Sequence, residues 1–101
     1  MKVRWSSTAL IELEEIFAYI FERNRKAAKA VVARLDRVTE RLESFPFTGT
    51  EADEDETYIL PVVRYPYMLY YTVEVGRSEV RILHVRHTSR KKPAADDPRA
   101  G

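Results

Sequence analysis

The chain contains no cysteine in its 101 residues. That absence removes disulfide staples, thiolate metal ligands and a thiol nucleophile together, and it suits a reducing cytoplasm. No apolar run approaches the ~18 residues that a membrane span requires. Met1-Lys2-Val3-Arg4-Trp5 leads straight into folded pattern, so a soluble, unexported protein is expected. No spacing of acids and histidines resembles a metal site, and neither a cofactor nor a small-molecule substrate is expected. A length of 101 residues leaves no room for a second domain, yet suffices to bury a core without staples.

A large excess of charge is also lacking: 17 Lys/Arg against 16 Asp/Glu give a formal net charge of +1. The charges are nevertheless sorted along the chain. Residues 51–56 (Glu-Ala-Asp-Glu-Asp-Glu) carry five acids and no base, whereas residues 57–93 carry seven Lys/Arg against Glu74 and Glu79, a surplus of 7 − 2 = +5. A basic field on one face attracts nucleic acid or an acidic peptide; the acidic run reads as a solvated loop.

Hydrophobic spacing divides the chain into two halves. Val3-Arg4-Trp5 is a short strand candidate, and Ser6, Ser7 and Thr8 offer hydroxyls to cap a helix directly after them. Leu10, Leu13, Ile16, Phe17 and Ile20 recur at three and four, which predicts one face of a helix ending near Asn24. A second helix is predicted from Lys26, with Ala28, Val31, Leu35, Val38, Leu42 and Phe45 as its stripe and Pro46 and Gly49 as its stop. Two helices with so short a link lie antiparallel and need a further layer. The segments 57–63, 67–75 and 79–87 supply it as three strands of a meander, with Arg64-Tyr65-Pro66 as one hairpin loop and Gly76-Arg77-Ser78 as the other. The expected class is α+β: a helical hairpin packed on one face of a small antiparallel β-sheet. From Pro93 to Gly101 no apolar residue exceeds alanine, so residues 1–92 form the expected domain and 93–101 a disordered tail.

The last strand carries most of the functional signal. Val80-Arg81-Ile82-Leu83-His84-Val85-Arg86-His87-Thr88-Ser89-Arg90-Lys91-Lys92 alternates hydrophobes with imidazole and guanidinium groups, so it is half in a core and half presented to something polar or negative. RNA cleavage through a 2′-hydroxyl needs a base, an acid and cations for the phosphorane charge. His84 or His87 could fill the first two roles, and Arg86, Arg90 or Lys91 the third. On a regular strand, residues 84 and 87 point to opposite faces and cannot act as a pair. The plain alternative makes whichever shares the side of Leu83 and Val85 a cap of the sheet edge. Tyr65, Tyr67, Tyr70 and Tyr71 could stack bases, although tyrosines in a two-layer sandwich mostly pack. Glu12, Glu14, Glu15 and Glu22 read as helix-surface charges.

In this order, Val3-x-Trp5-Ser6 with Ala9 and Leu13, Tyr19-Ile20, Ala27-Ala28, Phe45-Pro46-x-x-Gly49, Arg64-Tyr65-Pro66-Tyr67, Tyr70-Tyr71 and Ile82-Leu83-x-Val85-x-His87-x-x-Arg90 resemble the RelE/ParE toxin superfamily of bacterial type II toxin–antitoxin modules, closer to the ParE-like branch. The resemblance covers roughly residues 3–92. It implies a growth-inhibiting toxin, associated with plasmid stabilization, that a cognate antitoxin neutralises. One branch cleaves mRNA on the ribosome; the other acts on DNA gyrase and blocks replication. The ribonuclease pattern has lysines after the second helix, an arginine after the tyrosine that opens the middle strand, and a tyrosine in a C-terminal helix. Here the first segment is acidic, the arginine position is Met68, and no tyrosine occurs beyond Tyr71. Gyrase is therefore the expected target, with Arg64, Arg86, His87, Arg90 and Lys91 contacting it. The ribosome-dependent endoribonuclease, with His87 and Arg90 as catalytic residues, is the alternative. A third reading is a non-toxic antitoxin-binding relative, since Tyr58 stands where relatives often carry arginine. Trp5, Ile11, Ala18 and Tyr19, lying off the core stripe or on the short first strand, are the expected antitoxin surface.

Overall fold

The structure is a computed structural model that describes residues 1–52 and 56–90. Its elements are β1 (Lys2–Trp5), α1 (Ser7–Arg23), α2 (Arg25–Ser44), β2 (Thr50–Glu51), β3 (Thr57–Pro61), β4 (Tyr67–Glu74) and β5 (Glu79–His87), with 3₁₀ turns at Val75–Arg77 and Thr88–Arg90. The predicted tail, Lys91 and residues 53–55 of the acidic run lie outside the described residues.

Ser6 starts α1 as predicted. Its Oγ accepts the Ala9 amide at 3.0 Å and donates to the Leu83 carbonyl at 3.1 Å, so one hydroxyl caps the helix and ties it to β5. Asn24 then ends α1 with its own amide on the Ile20 carbonyl and starts α2 with its side chain on the Ala27 amide. One extended residue thus serves both helices, and α2 begins at Arg25, one position earlier than predicted. The link leaves no slack, so the helices pack antiparallel.

The sheet order is β1-β5-β4-β3-β2, and it is mixed rather than purely antiparallel. The meander β3-β4-β5 is antiparallel as expected, but β1 runs parallel to β5, with Lys2 opposite Glu79 and Trp5 opposite Ile82. The physical reason is the long return: two helices and a meander separate β1 from β5, which is the kind of crossover a parallel pair requires. β1 is consequently an edge strand.

The core lies between the helical hairpin and one face of this sheet. Ala9 from α1 and Val31, Leu35 and Leu42 from α2 meet Leu69, Tyr71 and Val73 of β4 and Val80, Ile82 and Val85 of β5, all buried. The predicted stripes are correct at Val31, Leu35 and Leu42 and fail at their ends. Leu10 and Phe45 are exposed: Leu10 follows the fully buried Ala9 on the side of α1 turned from the core, and Phe45 is the residue that ends α2. Trp5 is half-buried and packs against the core.

The sheet also departs from regular geometry at three points. Between Tyr70 and Tyr71 the register slips: Tyr70 faces His84 but Tyr71 faces Ile82, so Leu83 is an extra residue, a β-bulge. In the β4–β5 turn, Ser78 rather than Gly76 takes the left-handed conformation, with φ 55°. β3 stops at Pro61, short of the predicted Val63, and Arg64 in the β3–β4 loop has φ 77°.

Candidate functional site

β1 covers β5 only as far as Ile82, after which the outer edge of β5 is open to α1. Glu12 fills this gap. Its Oε1 accepts the Val85 amide at 3.0 Å, while its Oε2 takes His84 Nδ1 and the Arg86 guanidinium, each at 3.2 Å. Because the acceptor is a carboxylate, the proton of the neutral His84 ring resides on Nδ1. Arg86 is bound along one side only; its Nε is buried without a hydrogen-bond partner among the described residues. Glu12 is therefore an edge clamp and not the helix-surface charge its sequence context suggests.

The bulge at Leu83 sets which way the strand's last residues face. Val80, Ile82, Val85 and His87 share the side of Val73, Tyr71, Leu69 and Tyr67, whereas His84 and Arg86 stand opposite Tyr70 and Met68. The two histidines are thus on opposite faces, as strand geometry predicts. Leu83 and Val85, however, are split by the bulge, and the edge contact is made by His84, not by the histidine on the side of Val85. His84 meets Tyr70 edge-on at 6.2 Å, and His87 meets Tyr67 edge-on at 5.5 Å.

His87 is exposed and held from behind. Its Nδ1 lies 2.9 Å from Ser89 Oγ and accepts the Ser89 amide at 3.1 Å, so the neutral ring carries its proton on Nε2. Around it opens a cleft of about 540 Å³, walled by Glu12, Glu15, Ile16 and Tyr19 of α1 on one side and by Tyr67, Val85, Arg86, His87 and Ser89 on the other. Burial pushes the Tyr67 hydroxyl's pKa up, and the nearby Tyr19 hydroxyl adds to the shift, so Tyr67 enters the cleft as a neutral donor and acceptor. Among the described residues no group of three or more His, Cys, Asp or Glu is placed to hold a metal.

Arg64 sits at the same end of the sheet, since the Thr88 amide donates to Pro66 O at 2.8 Å and binds the two loops together. The turn Thr88–Arg90 brings the Arg90 backbone there too. Of the surface attributed to a partner, Ile11 and Tyr19 are 55% and 61% exposed and Ala18 is exposed beside them on α1. Sequence reasoning missed Glu12, whereas Glu15 is an exposed helix-surface charge as expected. A signal for Glu12 was present: it sits three after Ala9 and four before Ile16, inside the buried stripe, where a solvated charge has no place.

Comparison with known proteins agrees with this architecture. The family profile described as "ParE toxin of type II toxin-antitoxin system, parDE" matches residues 3–92. The protein named "Putative toxin Y4kP" of Sinorhizobium fredii (strain NBRC 101917 / NGR234) is 33% identical over 92 residues, covering 91% of this chain and 93% of that one. Among solved structures, the chromosomal ParDE toxin–antitoxin system from P. aeruginosa superposes with a TM-score of 0.75 at 18% identity, over 86% of this chain and 95% of that one. The toxin–antitoxin complex RelBE2 from Mycobacterium tuberculosis superposes with a TM-score of 0.62 at 24% identity, over 85% and 95%. With a profile that spans all five strands and both helices, and a relative matched over nearly its full length, the chain belongs to the ParE toxin family of type II toxin–antitoxin systems.

Proposed function

We propose that this chain inhibits growth in the cytoplasm by binding DNA gyrase and blocking replication, and that a cognate antitoxin neutralises it by covering α1. The observation that carries the target assignment is the commitment of Glu12. The carboxylate that meets His84 is engaged by an amide, an imidazole and a guanidinium, and the histidines face opposite sides of the sheet. General acid–base cleavage of RNA needs two titratable groups on one reacting phosphate, and this arrangement favours contact over catalysis. Arg64, His87, Arg90 and Lys91 form the target-facing set. Arg86 serves it from behind, by holding the strand end against Glu12.

The antitoxin assignment is supported by the exposed apolar residues Leu10, Ile11, Ala18 and Tyr19 on α1 and by the outer edge of β1, next to half-buried Trp5, which no strand among the described residues pairs. An interface of at least ~1,600 Å² is expected.

The deciding experiment induces the chain in cells and tracks DNA and protein synthesis separately, with purified gyrase and purified translating ribosomes as the two in vitro arms. Replication arrest and loss of gyrase supercoiling are expected. Codon-positioned cuts in mRNA, relieved by His87→Gln, would overturn the gyrase reading in favour of ribosome-dependent cleavage.

A further inference from the structure

The final strand reads as basic in sequence, yet the cleft it helps to form is not. Arg86 is neutralised by Glu12 at 3.2 Å, and His87 is held as an acceptor at Nδ1. What remains is the carboxylate of Glu15, exposed at the cleft wall and without an ion pair among the described residues. Beside it stand two phenol rings, Tyr19 and Tyr67. Tyr19 already takes a guanidinium on its ring, with the Arg23 Cζ 3.8 Å from the centroid, so its electron-rich face is suited to cations in this setting.

The same helix face continues outward as Ile11, Ala18 and Tyr19, which fall at i, i+7 and i+8 with Glu15 between them at i+4. With Glu12 paired to His84 and Arg86, and Glu22 set against Arg23 at 3.8 Å, the acids left over on α1 are Glu14 and Glu15, so a partner approaching this face meets an acidic field beside an apolar strip. Resting on the assignment of α1 to the antitoxin, we infer that the partner lays an amphipathic segment along α1 and inserts one lysine or arginine into the cleft, between the Glu15 carboxylate and the rings of Tyr19 and Tyr67. Apolar side chains of the segment cover Ile11 and Ala18; its single cation is the specificity contact.

The test uses the complex of the full chain with the antitoxin encoded beside it, and measures affinity across a salt series. Glu15→Lys is expected to weaken the complex about tenfold or more and to flatten its salt dependence, with Glu15→Gln intermediate. Glu74→Lys makes the same change of charge at the far end of β4 and is expected to stay within about twofold. Tyr19→Leu, which removes a ring and no charge, is expected to weaken binding as well. Reversal of one basic antitoxin residue should restore binding to Glu15→Lys alone. Equal losses for Glu15→Lys and Glu74→Lys, or none for either, would overturn the cleft contact while leaving the antitoxin reading intact. Failure of the unsubstituted chain to form any complex would overturn both.

Discussion

Glu12 accepts the Val85 amide at 3.0 Å across 73 positions of sequence, and by doing so supplies the hydrogen bond that a neighbouring strand would otherwise provide. The first helix is thereby part of the sheet's edge. Breaking this relationship leaves an unpaired amide and a guanidinium that is three-quarters buried.

Glu12→Ala is expected to cost about 2–3 kcal/mol, since it strands two partly desolvated donors at once. Glu12→Gln keeps an acceptor for Val85 but loses the charge opposite Arg86, and should fall between. Thermal or urea unfolding of the two variants checks the order; an unfolding midpoint for Glu12→Ala equal to that of the unsubstituted chain would refute the clamp.

Arg86→Glu and Arg64→Glu separate the support from the surface it supports. The first places two carboxylates together beneath the strand end and should lower stability and growth inhibition together. The second changes an exposed loop residue and should lower growth inhibition with the unfolding midpoint unchanged. A fully stable Arg86→Glu protein would contradict its placement behind the target surface.

Gly49 and Tyr71 make a second tight relationship. Tyr71 is fully buried, its hydroxyl accepts the Gly49 amide at 2.9 Å, and a Cβ on residue 49 would stand 2.7 Å from that hydroxyl and 2.9 Å from the Ile59 carbonyl oxygen. Gly49→Ala therefore forces backbone apart and is expected to destabilise by about 1–3 kcal/mol. Tyr71→Phe, which only removes the acceptor, should cost about 1–2 kcal/mol. If denaturant titration showed Gly49→Ala to be neutral, the close approach would be disproved.

Burial raises the pKa of both Tyr67 and Tyr71 above the usual 10.0; for Tyr71 the Gly49 amide opposes the shift and the neighbouring Tyr58 adds to it. Below about pH 10 both the folded and unfolded chains hold these protons, and the full contribution to stability is present. As pH rises past 10 the unfolded chain releases them first, so stability falls until the folded-state values are passed. Tyrosinate absorbance followed as pH rises should show Tyr67 and Tyr71 ionising late, together with loss of structure; their ionisation ahead of unfolding would contradict this.

What could be read from residues alone divides along physical lines. The helices and the meander were legible because burial of one face imposes a period, and Ser6, Asn24 and Pro46 punctuate it with groups that satisfy or remove backbone donors. The bulge at Leu83 was not, since an extra strand residue carries no side-chain signature and shows itself only when Tyr70 and Tyr71 are seen facing His84 and Ile82. The parallel place of β1 was also hidden, because Val3-Arg4-Trp5 alternates identically in either direction. Around the cleft, the basic residues of β5 suggested a positive surface. The charge of Arg86 is countered from α1 by Glu12, a residue distant in sequence, and no local window contains both partners.

The parallel pairing of β1 with β5 bears on how the protein comes into being. Lys2–Trp5 is made long before the strand it must join, which begins at Glu79. Until that final strand is made, β1 has no ladder, Glu12 has no edge to clamp and the cleft has only one wall. A chain released before β5 is made lacks the surface proposed to act on the cell, so the making of that strand and the assembly of that surface are the same event.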